Sequence, residues 1–221
     1  MRRGILIAFE GIEGSGKSTQ AHRLYEYLRS LGYKVILTYE PGGTEIGDEI
    51  RKILLNERFK SMHPKTELFL YLASRAQHVY EKILLALRAK MIVITDRFSL
   101  SSLAYQGVGR DLTVKVVSRL NKYACANIKP DITILIDVPV EVGLARIQTR
   151  GCAAPDRLEN ETLEFYTKVR NAYLKLARKA PKKIWVFSGE KSEGELFSEI
   201  KDRLVNWLKE KGLVYDKINP R

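Results

Sequence analysis

Residues Gly11 to Thr19 read Gly-Ile-Glu-Gly-Ser-Gly-Lys-Ser-Thr and match G-x-x-x-x-G-K-[ST] in full. Glycines in such a loop let backbone N–H groups turn inward without Cβ clashes. Those groups, with the N-terminus of the next helix, bind phosphate oxygens. Gly11, Gly14, Ser15, Gly16, Lys17, Ser18 and Thr19 are therefore the candidates for binding the phosphates of a nucleotide, with Lys17 reaching the β- and γ-phosphates and Ser18 ligating Mg2+. The pattern establishes nucleotide binding and leaves the reaction open, because GTPases, ATPases and kinases share it.

A second pair of residues stands at Asp96-Arg97, directly after the apolar run Met91–Thr95. An Asp at the end of a buried strand near a phosphate loop is placed to hold Mg2+ directly or through water. A basic neighbour in the same cleft suits an anionic acceptor, which makes Arg97 a candidate beside the metal ligand Asp96. The run Ile132–Asp137 also ends in an acid, but capping of the helix that begins near Pro139 accounts for Asp137.

These residues need elements to position them. Ile5–Phe9, Lys34–Tyr39, Met91–Thr95, Ile132–Asp137 and Ile184–Phe187 are apolar without alternation, as strands buried on both faces of a parallel sheet are. Helical patterns fill the intervals: Lys17–Leu31, Ile46–Leu55, Lys65–Ala89, Thr113–Ala124, Val140–Thr149, Asn160–Ala180 and Glu193–Lys211. The alternation predicts an α/β doubly wound sheet, in which ligands bind beyond the carboxyl ends of the strands. Every motif falls at such an end.

The chain has 221 residues, 45% of them hydrophobic, which suits one domain over residues 1–221 with a sizeable core. No apolar run approaches a membrane span, and the five apolar residues before Glu10 are too few for a signal peptide, so a cytoplasmic protein is expected. Only Cys125 and Cys152 occur, which fits a reducing compartment and a structural or incidental part for both. The net charge of +12 favours polyanions, including nucleic acids and phosphorylated small molecules, and does not choose among them.

Four segments narrow the choice: the phosphate loop, Glu40-Pro41-Gly42-Gly43-Thr44, the stretch Asp96 to Gly107 with its Ala104-Tyr105-Gln106, and Asp156-Arg157-Leu158-Glu159. In this order and spacing they resemble thymidylate kinases, from about Ile5 to Tyr173. The resemblance implies a P-loop nucleoside-monophosphate kinase fold, with a five-stranded parallel sheet flanked by helices and a mobile lid at about 146–158. It implies transfer of the γ-phosphoryl group of ATP to dTMP with Mg2+, in a homodimer. It places Arg51 with Arg97 on the acceptor phosphate, where two guanidiniums offer forked donors. Thymine recognition falls on Tyr71, Arg75 and Ser102. Tyr71 and Arg75, at i and i+4, share one helix face, while Phe69 lies on another and reads as core. Tyr105 lies against the 2′ position of the sugar and disfavours a ribose hydroxyl. Glu13 faces the 3′-hydroxyl, and Gln106 is a further candidate for the base.

The lid segment, Ala145 to Arg157, combines small residues, a proline and three arginines. One branch of the family carries an arginine inside the phosphate loop; here the loop reads Glu13-Gly14-Ser15. The resemblance therefore passes charge stabilisation to the lid, as in the bacterial-type branch, with Arg150 and Arg157 the candidates and Arg146 behind them. Three rival readings remain, of which the first, another nucleoside-monophosphate or deoxynucleoside kinase of the same fold, is told apart by which acceptor works. A GTP-hydrolysing switch would need an N-K-x-D segment, and Asn121-Lys122-Tyr123-Ala124 lacks the Asp. A nucleic-acid-binding protein would account for the charge but for none of the motifs, so nucleic acid is not an expected partner. The tail from Leu213 to Arg221 falls outside the resemblance.

Overall fold

The computed structural model describes residues 4–149 and 156–212. Its strands are β1 (Ile5–Glu10), β2 (Val35–Tyr39), β3 (Ile92–Asp96), β4 (Ile132–Asp137) and β5 (Ile184–Ser188). They form one sheet in the order β2-β3-β1-β4-β5, with every pairing parallel. Chain order reverses at β1, which lies between β3 and β4, and a crevice opens beyond its carboxyl end. Register aligns Phe9 on β1 with Asp96 on β3, so the phosphate loop and the Asp96-Arg97 pair emerge side by side.

Side-chain alternation along β1 divides the core. Ile5, Ile7 and Phe9 pack with Leu24 and Leu28 of α1 (Lys17–Ser30) and with Ile200 and Leu204 of the C-terminal helix. Leu6 and Ala8 face the opposite layer, against Val79, Ile83 and Phe98. The central strands are buried up to the partly exposed Asp96 and Asp137 that end β3 and β4, whereas the edge strands β2 and β5 leave Tyr39 and Val186 exposed.

The remaining helices are α2 (Glu45–Leu55), α3 (Pro64–His78), α4 (Leu84–Arg88), α5 (Ser99–Ser102), α6 (Val114–Ala124), α7 (Val140–Thr149), α8 (Leu163–Lys179) and α9 (Glu193–Glu210). Caps explain several starts. Thr44 accepts a hydrogen bond from Gly47 N ahead of α2, Thr162 from Phe165 N ahead of α8, and Ser192 with Glu195 forms a capping box on α9. The Thr162 cap starts α8 at Leu163, three residues after the expected Asn160. The predicted single helix over Lys65–Ala89 is interrupted by a π-helical turn, Val79–Ile83, between α3 and α4. A second π-helical stretch, Leu103–Gly109, continues α5 and carries Tyr105 and Gln106 on helical backbone where no helix was expected. Such turns are frequent at functional sites. Burial pushes the Cys125 thiol up to about 12, which keeps it an inert part of the core. Arg150 and Cys152 lie outside the described residues, as does the tail from Leu213.

Candidate active site

At the carboxyl ends of β1, β2 and β3 lies a cleft of about 540 Å3. The phosphate loop forms one wall. Gly14 has φ +69°, and a Cβ there would stand 2.1 Å from the Gly143 carbonyl oxygen, so only glycine lets the loop pack on α7. Arg146 of α7 donates to the carbonyl oxygens of Gly14 (3.3 Å) and Gly189 (2.9 Å), which places it behind the loop rather than over the cleft. Lys17 lines the cleft at the start of α1 and donates to the Ile12 carbonyl oxygen at 3.3 Å.

Ser18 Oγ donates to Asp96 Oδ2, and Asp96 Oδ1 is buried with no hydrogen-bond partner among the described residues. A buried carboxylate oxygen left unpaired is costly. Next to a P-loop hydroxyl it is a fitting ligand for a hard cation, which takes oxygen donors. The donor set therefore fits Mg2+.

Arg97 occupies the middle of the cleft with φ +70°, a left-handed conformation that is uncommon outside glycine. Its Nη2 meets Glu13 Oε1 at 2.6 Å and the Tyr105 hydroxyl at 3.3 Å, while Nη1 donates to the Gly11 carbonyl oxygen at 3.1 Å. Tyr105 donates to Glu13 Oε2 at 2.5 Å. Burial works to raise the Glu13 pKa, but Arg97 and Lys17 together bring it below the usual carboxylate range. Arg51, Tyr71 and Gln106 line the same cleft, so Glu13, Lys17, Ser18, Arg51, Tyr71, Asp96, Arg97, Tyr105 and Gln106 are brought together from separate segments of the chain. Arg51 Nη1 donates to the Pro41 carbonyl oxygen at 2.9 Å.

The structure places four residues otherwise than the sequence suggested. Arg75 is 1% exposed and does not line the cleft. Its guanidinium donates to Glu40 (2.7 Å), the Ser102 hydroxyl (2.7 Å), Asn121 (2.5 Å) and the Phe98 carbonyl oxygen (3.0 Å), so it is a buried strut and Ser102 is one of its acceptors. Arg157 is also buried: it donates to the Leu54 carbonyl oxygen at 2.8 Å and pairs with Glu67 at 2.7 Å, lining a separate cavity beside Glu57 and Lys60. Phe69 is 58% exposed rather than core, which leaves Tyr71 as the ring in the cleft. Asp137 takes both arms of Arg170 at 2.7 and 2.9 Å, an ion pair rather than a helix cap.

Because Arg75 is the counter-charge of buried Glu40, whose pKa it lowers against the effect of burial, Arg75→Met should cost about 3–5 kcal/mol of stability. Urea unfolding of the variant checks this. A loss confined to dTMP affinity, at full stability, would return Arg75 to the cleft.

Sequence reasoning assigned no part in the site to Glu10, Glu40, Glu67 and Tyr173. Glu10 ends β1 and accepts from Phe98 N (3.0 Å), Ser101 N (3.2 Å), Ser101 Oγ (2.6 Å) and the Tyr173 hydroxyl (2.9 Å), which braces the loop carrying Arg97. An acid at the end of an apolar strand was its signal, the same one that marked Asp96. Tyr173 and Glu67 sit inside amphipathic helices and carry no comparable mark.

The family model described as Thymidylate kinase matches residues 9–200. A thymidylate kinase of Pelobacter propionicus is 48% identical over 92% of this chain and 97% of its own length. One from Kosmotoga olearia is 42% identical over 94% and 99%. Among solved structures, the thymidylate kinase of Ehrlichia chaffeensis superposes with a TM-score of 0.74 at 33% identity, covering 91% of this chain and 98% of that one.

Proposed function

The chain belongs to the thymidylate kinase family and transfers the γ-phosphoryl group of ATP to dTMP, and we propose that the residues gathered beyond β1 and β3 divide that work between them. The observation that carries the proposal is the placement of Lys17, Asp96 and Arg97 in one cleft, with Arg97 covalently next to the metal-ligand candidate. The phosphate loop from Gly11 to Thr19 and Lys17 hold the triphosphate of ATP. Ser18 and Asp96 hold Mg2+, which when bound neutralises charge on the ATP phosphates.

Arg97 and Arg51 grip the 5′-phosphate of dTMP from two sides. Tyr71 stacks on the base, Gln106 meets its edge, and Glu13 with Tyr105 faces the sugar. The acceptor phosphate is already ionised, so transfer needs no strong general base. Alignment and charge neutralisation accomplish it. Arg150 of the lid adds positive charge when the segment closes, while Arg157 anchors the segment on its carboxyl side.

We also propose one domain, a cytoplasmic setting and a homodimer. Exposed Ile46, Ile53 and Phe69 on α2 and α3 supply apolar surface for the dimer, and sedimentation tests it. Among the described residues, no helix is long and apolar enough to cross a membrane.

The test of the site assignments is ADP release with dTMP, dUMP, UMP, CMP, AMP and GMP in turn. The expected order is dTMP, then dUMP, with UMP and CMP lower in kcat/KM by roughly 100-fold or more, because Tyr105 leaves no room for a 2′-hydroxyl. Use of a ribonucleotide as readily as dTMP would overturn the assignments of Tyr71 and Tyr105.

A further inference from the structure

Glu67 lies on α3 one helical turn before Tyr71 and is 1% exposed. Its carboxylate accepts from Gln106 Nε2 at 2.9 Å, from Arg110 Nε and Nη2 at 3.2 and 3.1 Å, and from Arg157 Nη1 at 2.7 Å. Burial acts to raise its pKa, but Arg110, Gln106 and Arg157 together outweigh that, and the carboxyl lies below its ordinary range. An ionised carboxylate only accepts hydrogen bonds. An amide beside it must therefore turn its NH2 inward, so the orientation of Gln106 follows from charge.

With its nitrogen committed to Glu67, Gln106 has its oxygen left for the cleft that it lines with Tyr71. That oxygen accepts no hydrogen bond among the described residues. A carbonyl oxygen at this point pairs with an N–H donor. Thymine and uracil carry one at N3, whereas cytosine has a lone pair there, and two facing acceptors repel.

We propose that Glu67, which does not line the cleft, sets its base specificity by locking the Gln106 amide with its oxygen towards the base, favouring pyrimidines with N3–H over cytosine. The proposal rests on Gln106 meeting the base edge, the role assigned to it under the proposed function. Glu67 is thus a positioning residue, and the same carboxylate ties the base wall to Arg157 at the end of the lid segment.

The experiment compares Kd for dTMP, dUMP and dCMP by calorimetry in the full chain and in Glu67→Asp, Glu67→Gln and Gln106→Leu. Asp keeps a negative charge for Arg110 and Arg157 but withdraws the oxygen from Gln106. It therefore serves if the Gln variant does not fold, and thermal melts establish which variants do. In both Glu67 variants the amide is released, and the preference for dTMP over dCMP should narrow at least tenfold. dTMP and dUMP should weaken together. An equal weakening of all three ligands would make Glu67 a brace only and overturn the proposal. Gln106→Leu separates the two levels. If it leaves the dTMP-to-dCMP ratio unchanged, Gln106 does not read the base and the underlying assignment fails. If it collapses the ratio while both Glu67 variants retain it, Gln106 stands and the proposal for Glu67 falls.

Discussion

Lys17→Ala should lower kcat by roughly 10^3-fold while leaving the protein folded. A charge about 4 Å from a phosphate oxygen, at the effective dielectric of a partly buried site, contributes about 4 kcal/mol, and each 1.36 kcal/mol is a factor of ten in rate. The fold should tolerate the change at this position. Lys17 begins α1, where alanine is a favourable residue, and the hydrogen bond from its ammonium to the Ile12 carbonyl oxygen is long, at 3.3 Å. Steady-state ADP release alongside a thermal melt checks both halves. A variant that turns over dTMP near the wild-type rate would remove Lys17 from the phosphates.

Arg97→Met should be as damaging by a different route, with kcat/KM for dTMP falling roughly 10^2- to 10^3-fold. Truncating one partner of a buried ion pair typically costs about 3–5 kcal/mol, much of it because the other charge is stranded. Here the stranded group is Glu13, whose ionisation Arg97 and Lys17 maintain against burial. Loss of Arg97 should raise the Glu13 pKa, so the residual activity should fall as pH drops through the new value. The wild-type rate should stay level over the same range. A pH profile from about 8 to about 5 on both proteins measures the difference, and parallel profiles would show that Arg97 does not govern Glu13. Arg97→Gly is a useful companion: it removes the same charge yet accepts φ +70° without strain, so it should be at least as stable as the methionine variant.

Features that depend on a few neighbouring residues were legible in the sequence. The apolar runs became β1 to β5 within a residue or two, and the phosphate loop and Asp96-Arg97 emerge together because both come directly after strands that pair in register. Arg75 shows where such reasoning stops. Spacing put it on the same helix face as Tyr71, but it did not reveal that Glu40, Ser102 and Asn121, all distant in sequence, would meet its guanidinium. A buried charge settles where its partners are, and those partners are set by tertiary packing. Arg157 obeyed the same logic, drawn to Glu67. The π-helical turns were hidden for another reason: one extra residue per turn leaves the apolar pattern of Lys65–Ala89 almost unchanged while rotating the face that α4 presents relative to α3.

Asp96 and Arg97 are consecutive, and in the proposed division of work one serves the donor nucleotide and the other the acceptor. Neighbouring Cα atoms across a trans peptide are held about 3.8 Å apart by covalent geometry. The left-handed turn at Arg97 sends its side chain across to Glu13, while Asp96 stays on Ser18. The two substrates are thus registered against a single peptide unit, which acts as a fixed ruler. Thermal breathing of the helices around the cleft then alters how often substrates enter and leave, while the backbone spacing of the two residues that hold them stays fixed by covalent geometry.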